Sequence, residues 1–122
     1  MIPGASNLGD GMDAFLAVVR ALSEPNRVRV VKLLQLTSLS AGELAEILDR
    51  PLEGVLGDLA PLEEAGLVKS LDEESERVFC IHPGRSNLYG AVLLALLDGW
   101  LNEDPDVRGD LQRVERFLGR RP

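Results

Sequence analysis

Apolar residues in this 122-residue chain change their spacing from segment to segment, and each change marks an element. Phe15, Val18, Val19 and Leu22 fall at i, i+3, i+4 and i+7, one stripe of an amphipathic helix that begins at Met12. That helix ends near Ser23, because Pro25 disfavours helical geometry at Glu24. Pro25 then opens a second helix running to about Leu36, its fixed φ suiting a first turn. Ser40 and Glu43 have the spacing of a capping box, which predicts a short third helix from Glu43 to about Leu48, stopped by Asp49, Arg50 and Pro51. Leu52, Val55, Leu59 and Leu62 carry a fourth helical stripe that closes at Ala65 and Gly66, with Gly66 as a left-handed cap. Residues 67–71 and 77–82 are two short β-rich runs around a charged tip, 72–76, and predict an antiparallel hairpin closed by Pro83 and Gly84.

The remaining segments are helical. Residues 88–101 are apolar nearly all round, with Tyr89, Val92, Leu93, Leu96 and Trp100 on one face and Leu94, Leu97 and Leu101 elsewhere. A helix of that kind is buried on more than one side, and in a chain this small a second subunit is the natural cover. After Asp104 and Pro105, a last amphipathic helix carries Val107, Leu111, Val114 and Leu118 and stops at Gly119. The order of elements predicts a mainly α fold with a small β-hairpin wing, a winged helix-turn-helix with helical dimerisation flanks. It divides into a flexible lead-in at 1–11, a winged-helix domain with its dimerisation helices at 12–101, and a C-terminal helical extension at 102–122.

The residues themselves resemble a family. The stretch from Ala21 through Ser23, Glu24, Pro25, Asn26 and Arg27 to Leu34 looks like the opening segment of ArsR-type winged-helix repressors. Glu43 to Leu48, Val55 to Leu62, and the run Glu63, Glu64, Ala65, Gly66, Leu67, Val68 fit the same family's helix-turn-helix and its passage into the wing. The resemblance covers roughly residues 13–101. It implies a homodimeric, DNA-binding transcriptional repressor. It also implies that Phe15, Val19, Tyr89, Val92, Leu96 and Trp100 form the subunit contact, and that Arg27, Arg29, Lys32, Arg50 and Arg77 meet phosphates.

Members of this family are often released from DNA by a metal or metalloid ion, and on that point this chain departs from the pattern. Where the arsenical and cadmium sensors carry a Cys-x-Cys pair before Glu-Leu, Ser40 and Gly42 stand here, and residues 88–101 hold no His and only Asp98 as a carboxylate. Cys80 and His82, at i and i+2 on one strand face, are the remaining weak candidates for a metal, and two ligands per chain do not close a site. The expectation is a regulator without a metal or other cofactor.

Composition adds one complication. The net charge is −7, from 13 Lys and Arg against 20 Asp and Glu. Between Thr37 and Glu76 only Arg50 and Lys69 oppose eleven acids, a local balance of −9, so the rest of the chain is weakly basic at +2. DNA affinity rests on cations neutralising phosphates, and this acidity lies on the helix-turn-helix and wing. The positions expected to read bases carry Leu52, Glu53, Gly54, Leu56, Gly57, Asp58, Ala60 and Pro61; carboxylates there can accept from cytosine N4 but supply no backbone attraction. Gly54, Gly57 and Pro61 together disfavour the fourth helix by roughly 4–5 kcal/mol relative to alanine, which predicts either a kink or break near Ala60 or a fresh helix start at Pro61. Two readings therefore stand: a DNA-binding regulator, and a winged helix that has exchanged DNA for a protein partner, or mimics DNA, through its acidic face.

Other classes are excluded more simply. One His, no Gly-rich phosphate loop and no nucleophile–base–orienter set leave no candidate for catalysis. The longest apolar run, 91–97, is far short of the roughly 20 residues a membrane span needs. The lone Cys80 excludes an intrachain disulfide and suits a reducing compartment, and no amino-terminal signal pattern is present, so a cytoplasmic location is expected. Arg113, Arg116, Arg120 and Arg121 read as a solvated helix end.

Overall fold

The computed structural model describes residues 11–82 and 87–120; the lead-in residues 1–10, Pro83, Gly84 and Arg121 lie outside them. The elements run α1 (Met12–Ala21), α2 (Pro25–Leu34), β1 (Leu39–Ser40), α3 (Ala41–Leu48), α4 (Leu52–Glu64), β2 (Val68–Glu73), β3 (Glu76–Ile81), α5 (Leu88–Asp98) and α6 (Pro105–Gly119). The fold is mainly α with a small antiparallel sheet, a winged helix-turn-helix.

Local chemistry explains most boundaries. Pro25 sits in the first turn of α2, where its missing N–H breaks no helical bond. The capping box at α3 is complete, with the Glu43 N–H donating to Ser40 Oγ at 3.1 Å and the Ser40 N–H donating to Glu43 Oε1 at 2.8 Å. Gly66 takes φ 77°, the left-handed conformation expected at the end of α4. The hairpin tip is tighter than the charge run suggests. Glu73 pairs with Glu76, so only Glu74 and Ser75 turn, with Glu74 at φ 57°.

Two features differ from the sequence reading. A third strand, β1, pairs antiparallel with β3 (Leu39 opposite Phe79, Ser40 opposite Val78), giving the order β1-β3-β2. Two residues are too few for a period to show. The second difference is α4, which is neither broken near Ala60 nor restarted at Pro61 but runs continuously from Leu52 to Glu64. Proline removes the bond to the carbonyl four residues back, and here that residue is Gly57, on the exposed side with nothing crowding it. Its carbonyl is free to hydrate, while Val55, Leu59 and Leu62 are fully buried and hold the helix by packing.

The core gathers residues from every helix, with Val18, Val31, Leu33, Leu44, Leu62 and Val114 inaccessible to solvent. Gly90 lets α5 approach closely. A Cβ there would lie 2.8 Å from Leu67 Cδ2 and 3.6 Å from Val18 Cγ2. The carboxy-terminal α6 packs on α2 and α3 and shares this core through Val114. Its N-cap is Asp104, which accepts the N–H groups of Asp106 and Val107. No helix among the described residues is long and apolar enough to cross a membrane.

Candidate nucleic-acid interface

The two helices of the motif, α3 and α4, are joined by Asp49, Arg50 and Pro51, with Asp49 in a left-handed conformation at φ 54°. Burial of Val55, Leu59 and Leu62 turns the opposite side of α4 to solvent. The exposed residues of α4 are Leu52, Glu53, Leu56, Gly57, Ala60, Glu63 and Glu64. The hairpin projects its exposed residues 71–77 as a wing.

Few cations remain on these surfaces, and each is partnered or set back. Arg50 forms an ion pair with Asp58, which ties the interhelical turn to the middle of α4. Gly54 gives it room. A Cβ at that position would stand 2.9 Å from Arg50 Nη2, so the guanidinium in this position lies close over Gly54 and its flexible tip would have to shift to admit a side chain there. A glycine that costs helix propensity thus also leaves the surface over which Arg50 lies toward Asp58. Arg77 lies 3.6 Å from Asp72, its cross-strand neighbour, and both side chains are exposed. Such a pair contributes little, and Arg77 is readily given up to a stronger anion. Lys69, on β2 opposite Cys80, is half-buried.

The other three cations assigned to phosphate on sequence grounds have positions inside the fold. Arg27 caps the end of α1, with Nε donating to the Ala21 carbonyl at 2.8 Å and Nη2 to the Arg20 carbonyl at 3.1 Å. Arg29 makes a two-pronged pair with the buried Asp110 of α6, at 2.7 and 2.9 Å. That hydrogen bond raises the affinity of Arg29 for its proton. Lys32 is only 4% exposed, and its Nζ donates to the carbonyls of Leu97 at 2.6 Å and Trp100 at 2.8 Å, closing the carboxyl end of α5. Burial lowers its pKa, with Asp98 opposing. An ammonium so enclosed does not reach a phosphate. Sequence spacing put all three on a basic helix; Arg27 is taken up by the neighbouring end of α1, and for Arg29 and Lys32 the acceptors are brought by α6 and α5 from 81 and 65 residues away.

The residues proposed for subunit contact lie on α1, α5 and the turn after α5. Phe15 and Tyr89 meet edge to face at 5.3 Å between ring centres, joining the two helices. Val92 is 60% exposed and Trp100 51%, with Val19 and Leu96 also exposed. Met12 and Leu88 extend the same exposed apolar set. The opposite side of α5 is covered within the chain, through Gly90, Leu94 and Leu97. Cys80 and His82 follow one another at i, i+2 at the end of the hairpin, and among the described residues no group of three or more His, Cys, Asp or Glu is gathered for a metal.

Helix-turn-helix, wing and flanking helices together define a winged helix-turn-helix protein. Comparison with known proteins agrees. Residues 22–70 match the family described as a Helix-turn-helix domain. The whole fold is similar to the crystal structure of an ArsR family transcriptional regulator, with 17% identity, a TM-score of 0.53, and coverage of 94% of this chain and 100% of that one. No curated protein sequence matches this chain. The chain therefore has a helix-turn-helix core within a winged fold similar to that of this regulator.

Proposed function

We propose that the protein is a homodimeric, DNA-binding transcription regulator of the ArsR type, acting as a repressor whose release does not depend on a metal. The observation that carries the reading is the helix-turn-helix itself: α3 and α4 fold as the matched segment requires, with the outer side of α4 open to solvent. The exposed apolar set on α1 and α5 supports a two-fold pair, which would present two α4 helices to successive major grooves. Arg50 and Arg77 are the cations placed to meet phosphates, each exchanging a carboxylate for a phosphate oxygen. Those two per protomer make four contacts per dimer. At a slope of about −0.9 per contact, log affinity against log salt should fall with a slope near −3.6, far shallower than for strongly basic repressors.

Binding to a pool of genomic DNA fragments, titrated across salt, tests this. Wild type should bind at low salt with that shallow slope. Arg77→Gln, present twice in the dimer, should weaken binding to all sequences alike and reduce the slope by about 2. Absence of binding at low salt would overturn the reading.

One observation favours a second reading. The outer side of α4 offers Leu52, Leu56, Gly57 and Ala60 among carboxylates, with no side-chain donor for a base edge. Apolar residues flanked by Glu53, Glu63 and Glu64 suit a protein partner with an apolar centre and basic rim. Failure of the DNA titration would leave this surface as the functional one.

A further inference from the structure

We propose that the groove between α3 and α6 binds a small organic anion with a flat apolar body, of the aromatic carboxylate class. The groove has a volume of about 600 Å³ and is lined by Glu46, Ile47, Arg113, Arg116, Phe117 and Arg120, with Gly119 at its end. That size lies within the range of small-molecule sites.

The lining sorts into three parts with distinct jobs. Arg113 is the fixed floor. Its Nε donates to the Ile47 carbonyl at 2.8 Å and its Nη2 donates to Asp110, so it cannot swing away. The partly buried Phe117 forms the apolar wall, against which a ring can pack, with the buried Ile47 behind it. Arg116 and Arg120 are the recognition groups. Arg120 lies with its guanidinium carbon 5.7 Å from the Phe117 ring centre and bonds Glu46 Oε2 at 3.3 Å, a contact in which both side chains are well exposed. Arg116 has no ion-pair partner among the described residues. A carboxylate suits the planar guanidinium fork, which takes two oxygens at once.

Charge distribution makes the groove distinctive. In a chain of net −7, three arginines here face one glutamate. An anion seated between Arg116 and Arg120 competes with Glu46 for Arg120. The concave shape and the apolar wall favour a ligand with an apolar body over a bare sugar–phosphate chain, which would leave Phe117 uncovered. Because Glu46 and Ile47 belong to α3, the first helix of the motif, an occupant acts directly on the helix that positions α4. The ligand assignment does not depend on whether DNA is bound.

Calorimetric titration of the full chain with 2-naphthoate, in the absence of DNA, tests it. The neutral isostere 2-naphthamide and inorganic phosphate serve as separate probes. The site predicts saturable binding of 2-naphthoate, one per chain and at least about tenfold tighter than 2-naphthamide, since charge-assisted bonds to guanidinium are lost with the amide. Arg116→Gln should weaken 2-naphthoate about tenfold while leaving the unfolding midpoint unchanged, because this side chain is exposed. Val92→Glu should leave the binding intact, which separates the groove from the apolar α1–α5 surface. Equal binding of naphthoate and naphthamide, or no loss in Arg116→Gln, would overturn the site. Inorganic phosphate binding as tightly as naphthoate would overturn the aromatic part of the assignment.

Discussion

Val92→Glu is expected to convert the proposed dimer to a 13.3 kDa monomer in sedimentation equilibrium, with its helical circular dichroism unchanged. Val92 lies on the outward side of α5 and is 60% exposed within one chain, so the substitution disturbs no packing in the monomer. In a two-fold pair the change occurs twice, and each carboxylate must leave water for an apolar contact. Even at about 2 kcal/mol for each copy, the low end for an unpaired polar group, dimer affinity falls about a thousandfold. Asp98 is the only charged side chain on α5 itself, and it too is acidic, so nothing on that helix offsets the new carboxylate. A variant that remains dimeric at micromolar concentration would remove this face from the subunit contact.

The second large effect concerns stability. Asp110 is 1% exposed and holds two cations, Arg29 from α2 and Arg113 from α6 itself. Asp110→Ala leaves Arg29, only 20% exposed, without its two-pronged acceptor and frees Arg113 from one of its two anchors. Breaking a buried pair from one side costs about 3–5 kcal/mol; both arginines keep some access to water here, which favours about 3 kcal/mol. For a chain of this length that lowers the melting midpoint by about 10 °C. Removing both partners should cost much less than removing one, since the penalty lies in the orphaned charge. Arg29→Met with Asp110→Leu is therefore expected to recover most of the lost stability. A loss below about 1 kcal/mol in chemical denaturation of Asp110→Ala would show that the pair is not what fastens α6.

The same pair shows why the fold was more legible in the sequence than the site. Helix boundaries announce themselves locally, through Pro25 and Ser40 with Glu43 at starts and Gly66 at a stop, and the structure places each where its chemistry requires. Arg29 and Lys32 also follow a local pattern, a basic stripe on α2, but their roles are decided by Asp110 and by the carbonyls of Leu97 and Trp100, far away in the chain. Nothing short-range in the sequence signals those partners. Gly54 behaves the same way, since its propensity cost is plain in the sequence while the room it gives Arg50 needs the folded turn. Proline 61 misled for a related reason. The rule that proline interrupts a helix assumes that the freed carbonyl is costly, and beside the exposed Gly57 it is not.

The acid excess now has an address as well. Along α4 and the wing it surrounds Leu52 and Leu56 and leaves Arg50 and Arg77 as the cations available to a phosphate, both already paired with aspartates. Under the proposed function, specific recognition by such a surface depends on two copies acting together and on shape complementarity more than on charge. Selection of bound fragments from a genomic DNA pool at low salt, followed by sequencing, tests the central proposal of a dimeric DNA-binding regulator. Enrichment of an inverted repeat, its half-sites about one helical turn of roughly 10 base pairs apart, is the predicted result. A bound fraction indistinguishable from the input pool at every salt concentration would contradict it.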